Sequence, residues 1–136
     1  MRISAILDHI ELGSMTLPEF QRGYVWNRAQ VRSLFHSLYR QYPIGGLLVW
    51  TTQAEASMRR DEHLGGETVK LLLDGQQRIT SLYGVVRGQP PAFFQGNKAS
   101  FIDLYFDLRT EIFEFYGPVK MKDDPLWVNV TSVFTV

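Results

Sequence analysis

The sequence predicts an α/β fold of the α+β kind, with a small mixed sheet, flanking helices and a C-terminal β-hairpin. Two stretches, residues 28–42 and 79–86, repeat apolar side chains at helical spacing. Two others, 44–50 and 69–73, are apolar runs of strand length. Beyond residue 90 the period changes to two, with Ile102, Leu104, Phe106 and Leu108 alternating against polar neighbours. At 136 residues the chain is the size of one domain, 1–136, with enough length for a core.

The first helix is expected from Ile3, Ile6, Leu7 and Ile10, with Ser4 as cap and Gly13 as stop. Residues 15–26 read as a loop whose Phe20, Tyr24 and Trp26 anchor it to the body, holding Gln21 and Arg22 in place. Asn27 with Gln30 forms a capping box for the next helix. Its apolar stripe is Val31, Leu34, Phe35, Leu38, Tyr39 and Tyr42, and Pro43 ends it. Ile44 to Trp50 reads as a buried strand, entered through a turn at Gly45-Gly46. Residues 52–67 form a long polar connection, expected to act as a flap. A second buried strand and a helix follow, stopped by Gly88 and Pro90.

The hairpin is expected from Phe101–Leu108 and Ile112–Tyr116, turning at Arg109-Thr110, with residues 117–125 as a polar turn. Trp127–Val130 adds a further strand. Asp103 and Asp107 share a strand face; the solvated side of an edge strand is favoured there over a carboxylate pair for a metal.

Composition narrows the function. Hydrophobic residues at 45% and aromatics at 13% indicate a folded chain. Fourteen basic residues balance 14 acidic ones, so bulk charge gives no tight nonspecific hold on nucleic acid. Arg22, Arg28, Arg32 and Arg40 still leave a local basic groove open. Cysteine is absent, which removes disulfides, zinc–thiolate sites and thiol catalysis. His9, His36 and His63 lack metal-ligand spacing. No apolar run approaches ~18 residues and no signal pattern opens the chain, so the expectation is a cytoplasmic protein with no membrane partner. The apolar C-terminal stretch, Trp127 to Val136, suggests an N-terminal fragment of a longer protein.

The chemistry concentrates at Leu71-Leu72-Leu73-Asp74-Gly75-Gln76-Gln77-Arg78-Ile79-Thr80-Ser81. A strand meets a helix there, and the first turns of a helix offer unpaired N–H groups and a positive dipole end to an anion. Two readings stand side by side. Asp74 with Gln77 fits a capping box of the D-x-x-Q kind, which is structural. Gln76, Gln77, Arg78, Thr80 and Ser81 crowd the same corner as a binding site would.

Two stretches together resemble a known family. Leu17-Pro18-Glu19-Phe20-Gln21-Arg22-Gly23-Tyr24-Val25-Trp26 resembles its (I/L)P-x-FQR-x-Y-x-W signature, and Leu73 to Leu82 resembles its DGQQR-(I/L)TSL signature. Tyr42-Pro43-Ile44-Gly45 also looks like that family's link from helix to strand. The family is the N-terminal domain of GmrSD-type, modification-dependent restriction proteins. The resemblance implies a ParB/sulfiredoxin-like fold whose strand–helix corner binds nucleotide phosphates. It implies nucleoside triphosphate with Mg2+ as cofactor, and NTP binding with possible hydrolysis as a regulatory activity in restriction of phage DNA. Arg78 would counter phosphate charge, with Gly75, Thr80, Ser81, Gln21 and Arg22 around the same pocket. Asp74, Gln76 and Gln77 would be the catalytic group, Asp74 holding magnesium and a glutamine orienting water. Double-stranded DNA would be met through the full-length protein, since the family's C-terminal nuclease half is missing here. The competing readings are a DNA-binding or modification-sensing module without NTPase activity, and an inert scaffold.

Overall fold

The apolar run at residues 69–73 becomes the central strand of a three-stranded sheet in the computed structural model, which describes residues 2–17, 23–53 and 68–134. The described residues divide into two compact units, one drawn from 1–25, 45–80 and 91–96, the other from 26–44, 81–90 and 97–136.

The first unit holds α1 (Ile3–Glu11), β1 (Met15–Thr16), β2 (Leu48–Gln53) and β3 (Thr68–Asp74). Ile6, Leu7 and Ile10 are the buried face of α1, at the expected spacing. Its cap differs from expectation. Arg2 holds the N-cap position with extended backbone and no side-chain bond, which puts Ser4 inside the first turn. The sheet is mixed, in the order β1-β3-β2, with β1 parallel and β2 antiparallel to β3. Leu71 and Leu72 are 1% and 0% exposed, as a central strand requires.

β2 corrects the expectation of a buried strand at Ile44 to Trp50. It lies at the sheet edge, and Leu48 and Trp50 are each more than half exposed. Its register also slips: Val49 faces Leu72 while Leu48 faces Asp74, a bulge that leaves Leu73 with no opposite residue. Bulges of this kind re-aim the strand, and this one immediately precedes the corner. Of the polar connection expected at 52–67, residues 52–53 belong to β2 and 54–67 lie outside the described residues.

The second unit opens with α2 (Arg28–Tyr39), whose start matches the sequence reading. The Asn27 side chain accepts from the Gln30 N–H, and the Gln30 side chain accepts from the Asn27 N–H, both at 3.0 Å. Val31, Leu34 and Phe35 are buried. The helix ends before Pro43 is reached. Gln41 takes φ of 62°, its N–H donates to Leu38 O (3.1 Å), and Tyr42 N–H donates to Ser37 O (2.8 Å). That is a Schellman stop with a glutamine where glycine is favoured. Tyr42 is therefore outside the helix and exposed. Gln41→Gly should raise unfolding stability by about 0.5–1 kcal/mol, the left-handed penalty less the entropy of glycine. Urea denaturation checks this, and an unchanged or lower midpoint contradicts it.

Helix α3 (Gln76–Arg87) continues into this unit beyond Thr80 and stops at Gly88, φ 78°. A 3-10 turn (Lys98–Ser100) leads to β4 (Leu104–Asp107), which pairs with β5 (Ile112–Phe115) as the expected hairpin. A short helix α4 (Pro118–Met121) replaces the expected polar turn, with Pro118 at its favoured first position. β6 (Trp127–Asn129) then pairs with the other side of β4, giving the order β5-β4-β6, and α5 (Val130–Phe134) follows. Phe101 and Leu104 are 1% and 0% exposed.

The two aspartates of the hairpin differ from both readings given to them. Asp103 lies outside the strand at φ of 64°. Asp107 is 4% exposed and accepts from Arg109 N–H (3.0 Å), Arg109 Nε (3.2 Å) and the Thr110 hydroxyl (2.8 Å). It anchors the turn rather than facing solvent or a metal. Burial raises its pKa, but these hydrogen bonds together pull harder and leave it below the ordinary carboxylate value. A depressed folded pKa stabilises the fold above the unfolded value near 3.9 and loses that contribution as pH falls through the folded value. Asp107→Asn should therefore lower the unfolding midpoint at pH 7, with the gap to the parent narrowing below about pH 3.9. Denaturation curves that stay equally separated from pH 7 to pH 3 would contradict that role.

Candidate functional site

The corner is built by a glycine. β3 ends at Asp74, α3 begins at Gln76, and Gly75 between them takes φ of 84°, which a side chain strongly disfavours. Gly75 N-terminally flanks the helix, and its carbonyl accepts from Ile79 N–H at 3.0 Å. Asp74 is thus one residue too early to be the N-cap. The D-x-x-Q capping box expected from spacing does not form, because the chain turns at the glycine and not at the acid.

Bare backbone surrounds Arg78. A Cβ on Gly75 would lie 2.3 Å from Leu47 Cδ2 and 3.0 Å from Arg78 Nη2. A Cβ on Gly45, itself at φ of 91°, would lie 2.9 Å from Arg78 Nη1. Between those two glycines the guanidinium donates from Nη2 to Gly46 O at 2.7 Å. The side chain is half-buried. A fixed positive charge is held in a slot that only the absence of two side chains leaves open. The sequence leaves Gly45-Gly46 open to two readings, a tight turn, which is favoured slightly, and a place where backbone approaches a ligand; in the structure Gly45 leaves room for the guanidinium.

The neighbouring Gln77 holds a different loop. Its Oε1 accepts from Val25 N–H at 2.8 Å, and its Nε2 donates to Gly23 O at 3.3 Å. The loop is also anchored as expected at Tyr24, whose N–H donates to Gln95 O (2.6 Å) and whose ring lies 5.6 Å from that of Phe94. The second signature therefore reaches the first through Gln77. Gln21 and Arg22 lie outside the described residues.

The remaining expected site residues fall into two groups. Asp74 is exposed at the mouth of the turn. Gln76 is 8% exposed and donates from Nε2 to Leu72 O at 2.9 Å, while Thr80 and Ser81 are 3% and 0% exposed. Those three are interior groups that seat α3. Among the described residues, what the corner presents is one guanidinium, one carboxylate and close-approaching backbone. Such a set suits an anion carrying several oxygens.

Over residues 3–129 the chain matches the family model described as GmrSD restriction endonuclease, N-terminal domain. It is also similar to a protein of Methanocaldococcus jannaschii described as uncharacterized, with 37% identity over 82 residues. That alignment covers 52% of this chain, and the chain spans 14% of the length of that relative. No described helix is long and apolar enough to cross a membrane.

Proposed function

We propose, on the premise that this chain belongs to the family of GmrSD restriction endonuclease N-terminal domains, that its corner at residues 74–78 binds the phosphates of a nucleoside triphosphate. Binding there regulates cleavage of DNA by a longer protein in defence against phage. The supporting observation is the Arg78 slot, a guanidinium positioned between Gly45 and Gly75 with its Nη2 on Gly46 O. A guanidinium carries five donors in a planar fork, so holding one carbonyl and meeting phosphate oxygens are compatible. The ParB/sulfiredoxin-like topology implied by the signatures belongs to the same proposal, since it places phosphates at a strand–helix corner.

Magnesium fits this set in one way. Mg2+ is commonly held by one or two carboxylates together with substrate phosphates. Asp74 supplies such a carboxylate at an exposed position beside the glycine turn. Among the described residues no group of three His, Cys, Asp or Glu stands ready to hold an ion alone. When bound, the ion neutralises phosphate charge. Gly75 lets the backbone approach, Arg78 binds, and Gln76 and Gln77 hold neighbouring backbone in position. Because both amides are engaged in that way, binding is the activity proposed, with hydrolysis left outside it.

Calorimetric titration of the chain with ATP and with GTP, with and without Mg2+, tests the reading. Saturable binding that weakens about tenfold without the metal is expected. Asp74→Asn should bring the affinity with Mg2+ down to the metal-free level while leaving the melting curve unchanged. A folded chain that binds neither nucleotide would overturn the proposal.

A further inference from the structure

Arg28, Arg32, His36 and Arg40 recur every fourth residue along α2 and so share one side of it. The two ends of that row are engaged. Arg28 donates from Nε to Ala99 O at 3.0 Å with its guanidinium 4.8 Å from the Phe115 ring centre, and Arg40 lies 5.7 Å from the Tyr39 ring centre. The middle pair, Arg32 and His36, lines a groove of about 530 Å³. That volume falls within the roughly 300–1,000 Å³ of small-molecule sites.

Three features give the groove a chemistry. Ile112 and Phe113 provide apolar lining. The Schellman stop at Gln41 brings Tyr42 back toward the helix, where its ring meets that of His36 edge-on, centroids 6.2 Å apart at 68°. Glu114 also lines the groove, and its carboxylate is paired with Lys120 Nζ at 3.2 Å. A carboxylate has four lone-pair sites and no proton to donate, so the lysine leaves acceptor capacity for a ligand N–H. A bare anion gains from Arg32 but is repelled by Glu114. A flat ring bearing an amine and a phosphate satisfies all of these groups together.

We propose that this groove binds a nucleoside phosphate whose base carries an exocyclic amine. The base ring packs on Tyr42 and His36, the phosphate meets Arg32, and the amine donates to Glu114. Thymine has no such amine and gains nothing from the carboxylate. The ligand chemistry is shared by a free nucleotide and by one unit of single-stranded DNA, and the groove shares no lining residue with the corner around Arg78.

The test is calorimetric titration of the chain with dCMP, dAMP and dTMP, and with oligo-dC and oligo-dT of six residues. Cytosine and adenine ligands are expected to bind at least fivefold more tightly than thymine ligands. Binding by the oligomer alone assigns the ligand to a strand; equal binding by the monomer assigns it to free nucleotide. Arg32→Glu, at an exposed helix position, should remove binding without lowering the melting temperature. Glu114→Gln should bring the dC-to-dT ratio toward one. Arg78→Ala should leave these affinities unchanged, which keeps this site distinct from the corner. Absence of binding by every ligand overturns the proposal. So does binding that survives Arg32→Glu, that is lost in Arg78→Ala, or that favours thymine.

Discussion

Arg78→Ala is expected to weaken nucleotide triphosphate binding by about 10- to 100-fold. Charge-assisted hydrogen bonds to a phosphate are worth about 1.5–3 kcal/mol, and each 1.4 kcal/mol is tenfold in affinity. The substitution removes the guanidinium that sits between Gly45 and Gly75, along with its bond to Gly46 O. A hydrogen bond of that kind is worth about 1 kcal/mol to the fold, and the melting curve reports what the substitution costs. Arg78→Lys separates charge from shape. A lysine keeps the charge but presents a single point rather than a fork, and its affinity should fall between the two. The measurement is calorimetry with ATP and GTP in Mg2+, paired with a melting curve. Unchanged affinity in a folded Arg78→Ala protein would sink the assignment of phosphates to this corner.

The second large effect is expected at Gly75. An alanine there must take φ near 84°, for which an L-residue loses about 1–2 kcal/mol. Its Cβ would also sit 2.3 Å from Leu47 Cδ2. Leu47 is partly exposed and its tip can rotate away, so the backbone strain is the lasting part of the penalty. A total of about 1–3 kcal/mol is expected in chemical denaturation. Binding should suffer beyond that, because the same Cβ lies 3.0 Å from Arg78 Nη2 and crowds the guanidinium. Gly75→Ala should therefore lose nucleotide affinity even where it is fully folded. A variant that melts like the parent and binds like it would show that the turn does not need its glycine.

Local rules made part of this molecule legible. The start of α2 was readable to the residue because a capping box involves only Asn27 and Gln30, neighbours on one turn. The β3–α3 corner was readable because the apolar period changes from strand to helix across Asp74-Gly75. Other features depend on partners distant in sequence. An apolar run at 44–50 does not reveal whether its strand will have one neighbour or two, and β2 lies at an edge with Leu48 and Trp50 exposed. β1 has only two residues, too few to show alternation, and exists because β3 pairs with it. Asp107 looked solvated by its place in the pattern, whereas the turn that follows folds back and buries it. At the site, Arg78 was visible as a charge on a first turn, but its glycine slot was not. That slot brings together residues 45–46 and 75–78, and nothing in a linear reading ties them.

Gln77 and Arg78 are consecutive on α3 and point roughly 100° apart around its axis. One reaches the loop at 23–25, the other the loop at 45–46, and each of these bonds ends on a peptide atom. The helix thus works as a hub with two spokes, each tied to a loop by bonds to main-chain atoms. Substitutions at Val25 or Gly46 can change the chemistry displayed around the corner without letting go of either loop, so one scaffold is free to present different linings to different ligands.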